Sequence, residues 1–399
     1  MADRGIGASK VIRGRRVSGI DSGDVDKALA ECGSDGVQRP MDGLTSGGLV
    51  SRRGFLAVMG AAAGMLAVSS LAGCSNGSGS DADSNSGSDG SSSASGSSEY
   101  DEQSIVLFLF DTVIEISALC SEELMSAVSD RLEYFESIFS RTVEGSDIWN
   151  INEAAGEPVE VNAETADVIG KSIGYSEASD GLFDITIGTV TVLWDFDEGV
   201  KPDDDVLAEA VKHVGYGNIS VDGTTVQLSD PDTKLDLGGV AKGYICDDIV
   251  QMFLDGGCES ASISLGGNVY VIGSSFDGDS WVVGVQDPNG TYDESIAKLE
   301  ASDMSVVTSG LYERYFVEDG VTYYHILDPK TGYPVETDLE SASLVSESST
   351  DGDAYATILF LMGHDAAMDL IESDDRFQGL LIDSDGNIST SEGSDFELL

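Results

Sequence analysis

The chain has 399 residues and a formal net charge of −52, because 72 Asp and Glu residues outnumber 20 Lys and Arg residues. Phosphate backbones are bound by clustered cations, so a surface this anionic excludes nucleic acid as a natural partner. Hydrophobic residues make up 41% of the chain, with 13 Phe, 13 Tyr and 3 Trp among them. This content is sufficient for a folded core, and the charge therefore does not predict global disorder.

The N-terminal region carries an export pattern. Ser51 to Leu56 read Ser-Arg-Arg-Gly-Phe-Leu, and a weakly hydrophobic stretch rich in Ala and Gly follows. We interpret 51–73 as a twin-arginine signal peptide. A short transmembrane anchor is the alternative, although the apolar run is too short to cross about 30 Å of hydrocarbon. Residues 1–50 are either an N-terminal extension or the result of a misassigned start codon.

The signal ends in Leu71-Ala-Gly-Cys74, which resembles a bacterial lipobox, so Cys74 is the predicted lipidation site. Between 75 and 98 the chain consists only of Ser, Gly, Asp, Asn and Ala. Residues 74–99 are therefore predicted to be a lipidated cysteine and a flexible tether with a reach of roughly 27 Å. We expect a protein that a lipid anchor holds to the cell membrane, on its extracytoplasmic face.

The globular part is predicted to occupy 100–399. Apolar positions at intervals of three and four residues predict helices at 121–140, 165–179, 204–214, 240–254 and 349–362. Runs rich in β-branched and aromatic residues predict strands at 105–116, 234–237, 260–265, 269–272, 281–286, 305–308, 314–317 and 322–327. These elements show no regular βαβ rhythm. They predict an α+β fold, a single domain of mixed, mainly antiparallel sheets packed with helices.

The segment Asp236-Leu-Gly-Gly-Val-Ala-Lys242-Gly joins a predicted strand to a predicted helix. Its two glycines let a ligand approach the backbone, the helix N-terminus favours anions, and Lys242 adds a mobile positive charge. The segment therefore predicts a phosphate-binding turn, although its spacing matches neither Walker A nor the dinucleotide fingerprint. The alternative is a plain strand-to-helix turn with a solvated lysine.

Asp353 and Thr357 lie four residues apart in the last predicted helix, so their side chains share one face, one turn apart. Carboxylate and hydroxyl oxygens are hard ligands of the kind that Mg²⁺ prefers. The pair predicts a magnesium site. The alternative is structural, with Asp353 complementing the helix dipole and Thr357 bonding the carbonyl four residues earlier.

His325 is one of three histidines, and it lies where the predicted strand 322–327 runs into a turn that contains Pro and Gly. At neutral pH an imidazole is the best proton acceptor that this chain offers. His325 is therefore the candidate general base. The alternative is a strand residue that only covers a sheet.

These three segments occur together with two others in one order along the chain. The set comprises Asp236 to Gly243, Ser264-Leu-Gly-Gly-Asn268, Thr308-Ser-Gly-Leu-Tyr-Glu-Arg314, His325 to Pro334, and Asp353-Ala-Tyr-Ala-Thr357. In this order the segments resemble the ApbE family. The resemblance implies a T-fold-like domain and the activity of an exported FAD:protein FMN transferase, with FAD as the substrate and Mg²⁺ as the cofactor.

The resemblance also implies roles for individual residues. Gly239, Asp353 and Thr357 would hold Mg²⁺, and Lys242 and His325 would act in catalysis. FAD contacts are implied for Phe110, Trp149, Leu182, Phe183, Asp184, Asp236, Lys242, His325 and Ile326. Phe110 fills the position of a methionine in the family, where an aromatic ring can pack against the flavin.

In the implied reaction, a hydroxyl of a partner protein with a Ser/Asp-Gly-Ala-Thr-like motif attacks the FMN phosphorus, and AMP leaves. His325 accepts the proton, while Lys242 and the metal offset charge on the phosphoryl oxygens. Two alternatives stay open. One is a magnesium-dependent FAD pyrophosphatase, in which water replaces the protein hydroxyl, and the other is a non-catalytic flavin-binding lipoprotein.

Overall fold

The computed structural model of the chain describes residues 9–12, 100–291 and 294–399. The predicted signal peptide at 51–73, Cys74 and the predicted tether lie outside the described residues. Within the described part, helices are mixed with antiparallel strands and show no βαβ rhythm. The predicted α+β fold class is confirmed.

The secondary-structure elements are named in chain order. The helices are α1 (Glu122–Phe139), α2 (Asp147–Glu153), α3 (Ala163–Ala178), α4 (Gly188–Thr191), α5 (Asp204–Ala210), α6 (Ala241–Asp255), α7 (Ser349–Met362) and α8 (His364–Ser373). The strands are β1 (Ser9–Ile12), β2 (Glu102–Leu109), β3 (Thr112–Leu119), β4 (Val159–Glu160), β5 (Ile219–Asp222), β6 (Thr225–Leu228), β7 (Ser260–Leu265), β8 (Asn268–Gly273), β9 (Trp281–Gln286), β10 (Ser295–Ala301), β11 (Met304–Gly310), β12 (Tyr315–Glu318), β13 (Val321–Tyr324), β14 (Leu339–Ser346), β15 (Gln378–Asp383), β16 (Ile388–Thr390) and β17 (Glu397–Leu398). None of the described helices is both long and apolar enough to span a bilayer.

The central sheet has eight strands in the order β16-β15-β14-β11-β8-β7-β3-β2, and each neighbouring pair is antiparallel. A second sheet contains β1, β9, β10 and β17, a third contains β4, β6 and β5, and β12 and β13 form a separate hairpin. Antiparallel neighbours can be joined by short turns and need no crossover helix. This explains why the sequence shows no alternation of strands and helices.

The single strand predicted at 105–116 is wrong, because the chain reverses inside it. β2 and β3 pair from Glu102 opposite Leu119 to Leu109 opposite Thr112, which leaves Phe110 and Asp111 as the turn. Both turn residues have positive φ, +54° and +56°, as a two-residue hairpin of this handedness requires. Glycine or asparagine normally marks such a turn. Neither is present, and β-branched and aromatic residues continue on both sides of Asp111.

The strand predicted at 234–237 is also wrong. The side-chain amide of Asn152 accepts from the Leu235 N–H at 2.6 Å and donates to the Leu235 carbonyl at 2.9 Å. The Asp236 N–H donates to the Ile185 carbonyl at 2.8 Å. The Asn152 side chain, 83 residues away, thus makes the backbone hydrogen bonds that a neighbouring strand would make. The sequence of the segment itself contains no sign of this partner.

Several other predicted elements exist with different ends. The helix predicted at 204–214 is α5 followed by a 3₁₀ turn at Val211–His213, and the strand predicted at 322–327 ends at Tyr324 as β13. The helix predicted at 349–362 is α7, but α8, β15 and β16 follow it. Elements that the sequence analysis missed are α2, α4, α8, β1, β4, β5, β6, β10 and β14 to β17.

The largest buried cluster lies between the central sheet and helices α1 and α6. The Ser121 hydroxyl caps α1 by accepting from the Leu124 N–H at 3.2 Å. Buried side chains recur every three or four residues along α1, as expected for one apolar face: they are Met125, Val128, Leu132, Phe135, Ile138 and Phe139. Burial of each large side chain contributes about 1.5–3 kcal/mol. The start of α6 is therefore anchored on a packed scaffold.

Candidate active site

The site forms where the start of α6 meets the first turns of α7, and Gly243 makes that approach possible. A Cβ atom on Gly243 would lie 2.2 Å from the Ser349 carbonyl oxygen and 2.7 Å from the Asp353 Cβ. The Gly243 N–H donates to Asp353 Oδ2 at 2.9 Å. A glycine at this position therefore brings the Asp353 carboxylate against the N-terminal turn of α6.

Lys242 and Asp353 form the charged centre of the site. Lys242 Nζ lies 3.3 Å from Asp353 Oδ1 and donates to the Gly238 carbonyl at 3.3 Å. Burial lowers the pKa of Lys242, but the nearby Asp353, Glu313 and Asp236 carboxylates together outweigh burial, so its pKa is raised. The side chain is thus a permanent cation next to a carboxylate that is only 3% exposed.

The three predicted metal ligands lie together. The Thr357 hydroxyl donates to the Asp353 carbonyl at 3.4 Å. A Cβ atom on Gly239 would lie 3.6 Å from Thr357 Oγ1 and 3.0 Å from Cε2 of the Phe183 ring. Asp353 Oδ1 already faces a cation, the Lys242 ammonium. A carboxylate, a hydroxyl and a backbone carbonyl are hard oxygen donors, so this set fits Mg²⁺.

Asp236 shapes the glycine turn. Its Oδ1 accepts from the Gly238 N–H at 2.8 Å, and its Oδ2 lies 3.1 Å from Arg141 Nε. Arg141 follows α1 and was not predicted as a site residue. The scarcity of cations in this chain is the signal that could have drawn attention to it.

His325 lies directly after β13, at the base of the β12–β13 hairpin. Its backbone N–H donates to the Arg314 carbonyl at 3.1 Å, and its Nδ1 lies 3.3 Å from the same oxygen. A carbonyl can only accept, so Nδ1 carries the proton and Nε2 keeps its lone pair. Burial and, to a lesser extent, the positive charges of Arg314 and Lys242 together lower the pKa of His325 to about 4. The ring is therefore neutral at pH 7.

Glu313 joins the site although the sequence analysis gave it no role. Its Oε2 lies 4.0 Å from His325 Nε2. The pKa of Glu313 is raised to about 7: burial has the largest effect, the Lys242 charge opposes it and the Asp353 charge adds to it. Its place in the Thr308–Arg314 segment was visible, but its proximity to His325 depends on the hairpin between them.

The remaining predicted FAD contacts have different surroundings. Phe183 is buried beside Gly239. Asp184 accepts from the Thr186 N–H and hydroxyl through Oδ1 and from the Tyr216 N–H through Oδ2, so both of its oxygens hold the loop together. Burial raises the pKa of this carboxyl, and the bonds from Thr186 and Tyr216 lower it. Its contact with FAD stays a prediction.

Phe110, Trp149, Leu182 and Ile326 were also predicted to contact FAD. The Phe110 N–H donates to Glu136 at 3.0 Å from the β2–β3 turn, and Trp149 lies in the first turn of α2. Leu182 is half-buried. Ile326 is buried in the cluster under α7. These contacts likewise stay predictions.

A second group of possible metal ligands comprises His213, Asp230 and Asp232, whose ligand atoms lie within 4.8 Å of one another. His213 Nδ1 lies 2.7 Å from Asp230, and Nε2 lies 4.0 Å from Asp232. The bond to Asp230 is the main reason that the pKa of His213 is raised. The two ring nitrogens face different carboxylates, so a protonated ring would form an ion pair with them.

Comparisons with known proteins identify the fold and the family. Solved structures of ApbE proteins share this fold. An ApbE protein from Thermotoga maritima superposes with a TM-score of 0.67 at 35% identity, and the match covers 73% of this chain and 97% of that protein. The flavin transferase ApbE from Vibrio cholerae shares the fold, with a TM-score of 0.66 at 24% identity over 73% of this chain and 97% of its own.

Sequence comparison gives the same family. The sequence model of the ApbE family matches residues 110–381. An FAD:protein FMN transferase from Treponema pallidum is 33% identical over 317 residues, covering 74% of this chain and 87% of the relative. One from Klebsiella pneumoniae is 35% identical over 247 residues, covering 61% and 76%. The chain belongs to the ApbE family.

Proposed function

We propose that this chain is a magnesium-dependent FAD:protein FMN transferase. It moves the FMN moiety of FAD to a Thr or Ser hydroxyl of a partner flavoprotein and releases AMP. The observation that carries the proposal is the 3.3 Å contact between Lys242 of α6 and Asp353 of α7 next to the glycine turn, with Thr357 and Gly239 beside it. The names of the curated relatives support the same activity.

The chain's own residues provide the binding chemistry. Lys242 offers an ammonium to the pyrophosphate of FAD at the N-terminal turn of α6, where the helix dipole also favours an anion. Gly238 and Gly239 leave room for the phosphates because they carry no side chain. The Phe183 ring beside Gly239 offers an apolar surface to the flavin moiety.

Asp353, Thr357 and the Gly239 carbonyl would hold the Mg²⁺. When bound, the ion offsets negative charge on the phosphoryl oxygens. Asp353 uses Oδ2 to accept from Gly243, so Oδ1 is the oxygen that points into the site. Lys242 stands on the same side of Asp353 and stabilises charge that develops during transfer.

His325 is placed to accept the proton of the attacking hydroxyl. Its Nδ1 is committed to the Arg314 carbonyl, which leaves the lone pair on Nε2. A neutral imidazole with a fixed tautomer can act as a general base without first losing a proton. In the transfer step, the acceptor oxygen bonds to phosphorus, the bond between phosphorus and the AMP oxygen breaks, and the acceptor proton leaves to the base.

The proposed function also includes an acceptor protein and a cellular location for the enzyme. The acceptor is a protein with a Ser/Asp-Gly-Ala-Thr-like motif, and the enzyme is a lipoprotein anchored through Cys74 on the extracytoplasmic face of the cell membrane. The lipobox and the twin-arginine pattern support this location.

The test is co-incubation of the full-length protein with FAD, Mg²⁺ and an FMN-binding domain that carries the motif. Intact mass spectrometry should show the acceptor heavier by FMN less one water, and chromatography should show AMP in equal amount. Replacement of the acceptor hydroxyl by Thr→Val should abolish the gain. Release of FMN and AMP without a modified acceptor would instead identify a pyrophosphatase, and binding of FAD without AMP would identify a non-catalytic binder.

A further inference from the structure

Glu313 and His325 are held by a single backbone anchor. Glu313 immediately precedes Arg314, and the Arg314 carbonyl accepts from the His325 N–H at 3.1 Å and faces His325 Nδ1 at 3.3 Å. This arrangement turns His325 Nε2 toward Glu313 Oε2, 4.0 Å away. The β12–β13 hairpin therefore fixes the distance between two proton-accepting atoms that are 12 positions apart in sequence.

The Glu313 carboxylate has an unusual environment. It is about one quarter exposed, and no hydrogen bond to it is found in the part of the chain that the structure describes. Lys242 and Asp353 are the charged groups that act on it, while Arg314 and Lys242 act on His325. A partly buried carboxylate that accepts no hydrogen bond costs free energy, so this position calls for an explanation.

We propose that Glu313 is a second proton-accepting residue of the site and works as a pair with His325. A gap of 4.0 Å is too long for a direct hydrogen bond, but a hydroxyl oxygen can lie within about 2.6–3.2 Å of both atoms. The proposal rests on the proposed function, because it assigns the fate of the acceptor proton in that reaction.

The acceptor O–H bond breaks, its oxygen forms the new bond to the FMN phosphorus, and AMP leaves with the electron pair of the broken P–O bond. The proton goes to His325 Nε2 and comes to rest on Glu313 Oε2. Since the pKa of His325 is lowered to about 4 and that of Glu313 is raised to about 7, the carboxylate holds the proton more firmly.

One arm of the test is independent of turnover. The chain contains three histidines, so ¹⁵N labelling of histidine in the full-length protein gives few ring signals to assign. The His325 ring nitrogens should shift with a midpoint near pH 7, in step with Glu313. In Glu313→Gln this step should vanish. It should persist in the matched control Glu318→Gln, which removes one exposed carboxylate from the same hairpin. A step that persists in Glu313→Gln overturns the pairing.

The second arm measures single-turnover FMN transfer. Glu313→Gln should lose about 10²-fold in rate while its affinity for FAD stays within threefold, and Glu318→Gln should match the wild type. In Glu313→Gln/His325→Gln the rate should fall little below that of the slower single variant, because the two residues share one proton. Unchanged transfer in Glu313→Gln, or fully additive losses, overturns the proposal. Failure of the wild type to modify any acceptor would contradict the proposed function, and the NMR arm would still decide the pairing.

Discussion

At the scale of single residues, burial and neighbouring charge act in opposite directions on the groups of the site. Three carboxylates raise the pKa of Lys242 against the effect of its burial. Burial and two cations lower the pKa of His325 to about 4. An ammonium ion and a neutral imidazole can therefore coexist in one site at pH 7, the first able to offset negative charge and the second able to accept a proton.

Removal of the Asp353 charge tests the metal site. In Asp353→Asn the side-chain oxygen can still accept from the Gly243 N–H, so the fold should be kept, but the anionic ligand is lost. We expect the affinity for Mg²⁺ to fall by at least about 10²-fold, measured by isothermal titration of MgCl₂ into the full-length protein. The control is Asp369→Asn, an exposed residue of α8. Equal Mg²⁺ affinity in both variants would contradict the assignment.

Glu313 should make stability depend on pH. Its pKa rises from 4.5 in the unfolded chain to about 7 in the fold, so it contributes stability that is complete below pH 4.5 and is lost as the pH rises through 7. Glu313→Gln lacks the buried charge. It should be more stable than the wild type at pH 8.5 by about 1–3 kcal/mol, a range that allows for water at the partly exposed carboxylate.

Chemical denaturation of the metal-free proteins at pH 8.5 and pH 5 measures this difference. The excess stability of Glu313→Gln should shrink as the pH falls from 8.5 to 5. A difference that is the same at both values would show that the carboxylate titrates at its ordinary pKa.

At the scale of elements, Asp247 determines how α6 and α7 meet. Its carboxylate accepts from the Ser349 N–H at 2.7 Å, the Thr350 N–H at 3.0 Å and the hydroxyls of Thr350 and Ser348 at 2.6 and 3.0 Å. These bonds satisfy N–H groups at the start of α7 and place a negative charge at its positive end. They fix the position of α7, and with it that of Asp353 relative to Lys242.

Gly243→Ala should disturb this crossing. The new Cβ would meet the Ser349 carbonyl oxygen at 2.2 Å, and backbone cannot move aside as a flexible side chain can. We expect a loss of about 1–3 kcal/mol in stability and up to about 10²-fold in transfer, because small displacements of reacting groups are costly.

The matched control is Gly170→Ala in α3, where a Cβ atom has nothing within 4 Å. A helix gains about 1 kcal/mol from such a change, so this variant should be slightly more stable and equally active. Thermal denaturation and single-turnover transfer measure both variants. Wild-type transfer in Gly243→Ala would show that the crossing tolerates a wider spacing.

At the scale of the whole molecule, the net charge of −52 opposes the binding of an anionic dinucleotide. Within the site, three cations lie near the acidic and titratable groups. Lys242 faces Asp353, Arg141 neutralises Asp236 under the glycine turn, and the Arg314 charge acts on His325. These cations offset carboxylates within the site, which reduces the local repulsion of a phosphate.

Cys74→Ala tests the predicted anchor. Growth with a fatty-acid analogue should label the wild-type protein in the membrane fraction, because the thiol of a lipobox cysteine is the acylated group. The variant should carry no label. Equal labelling of the two proteins would contradict the prediction that Cys74 is lipidated.

Local patterns in the sequence were enough for features that depend on neighbouring residues. The apolar face of α1 and the one-turn spacing of Asp353 and Thr357 follow from helix geometry, and the structure contains both. The order of the five segments led to the ApbE family, which the comparisons confirm. The sequence was therefore sufficient to predict which residue types the site contains.

Tertiary structure decided which of these residues meet. The reversal at Phe110 and Asp111 uses left-handed backbone without glycine, Asn152 takes the place of a strand beside Leu235, and Arg141 reaches Asp236 across the glycine turn. The distance between Glu313 and His325 depends on the hairpin that separates them. The contacts join groups that are far apart in sequence, and the turn needs a backbone conformation that composition does not indicate. Only the packed chain determines them.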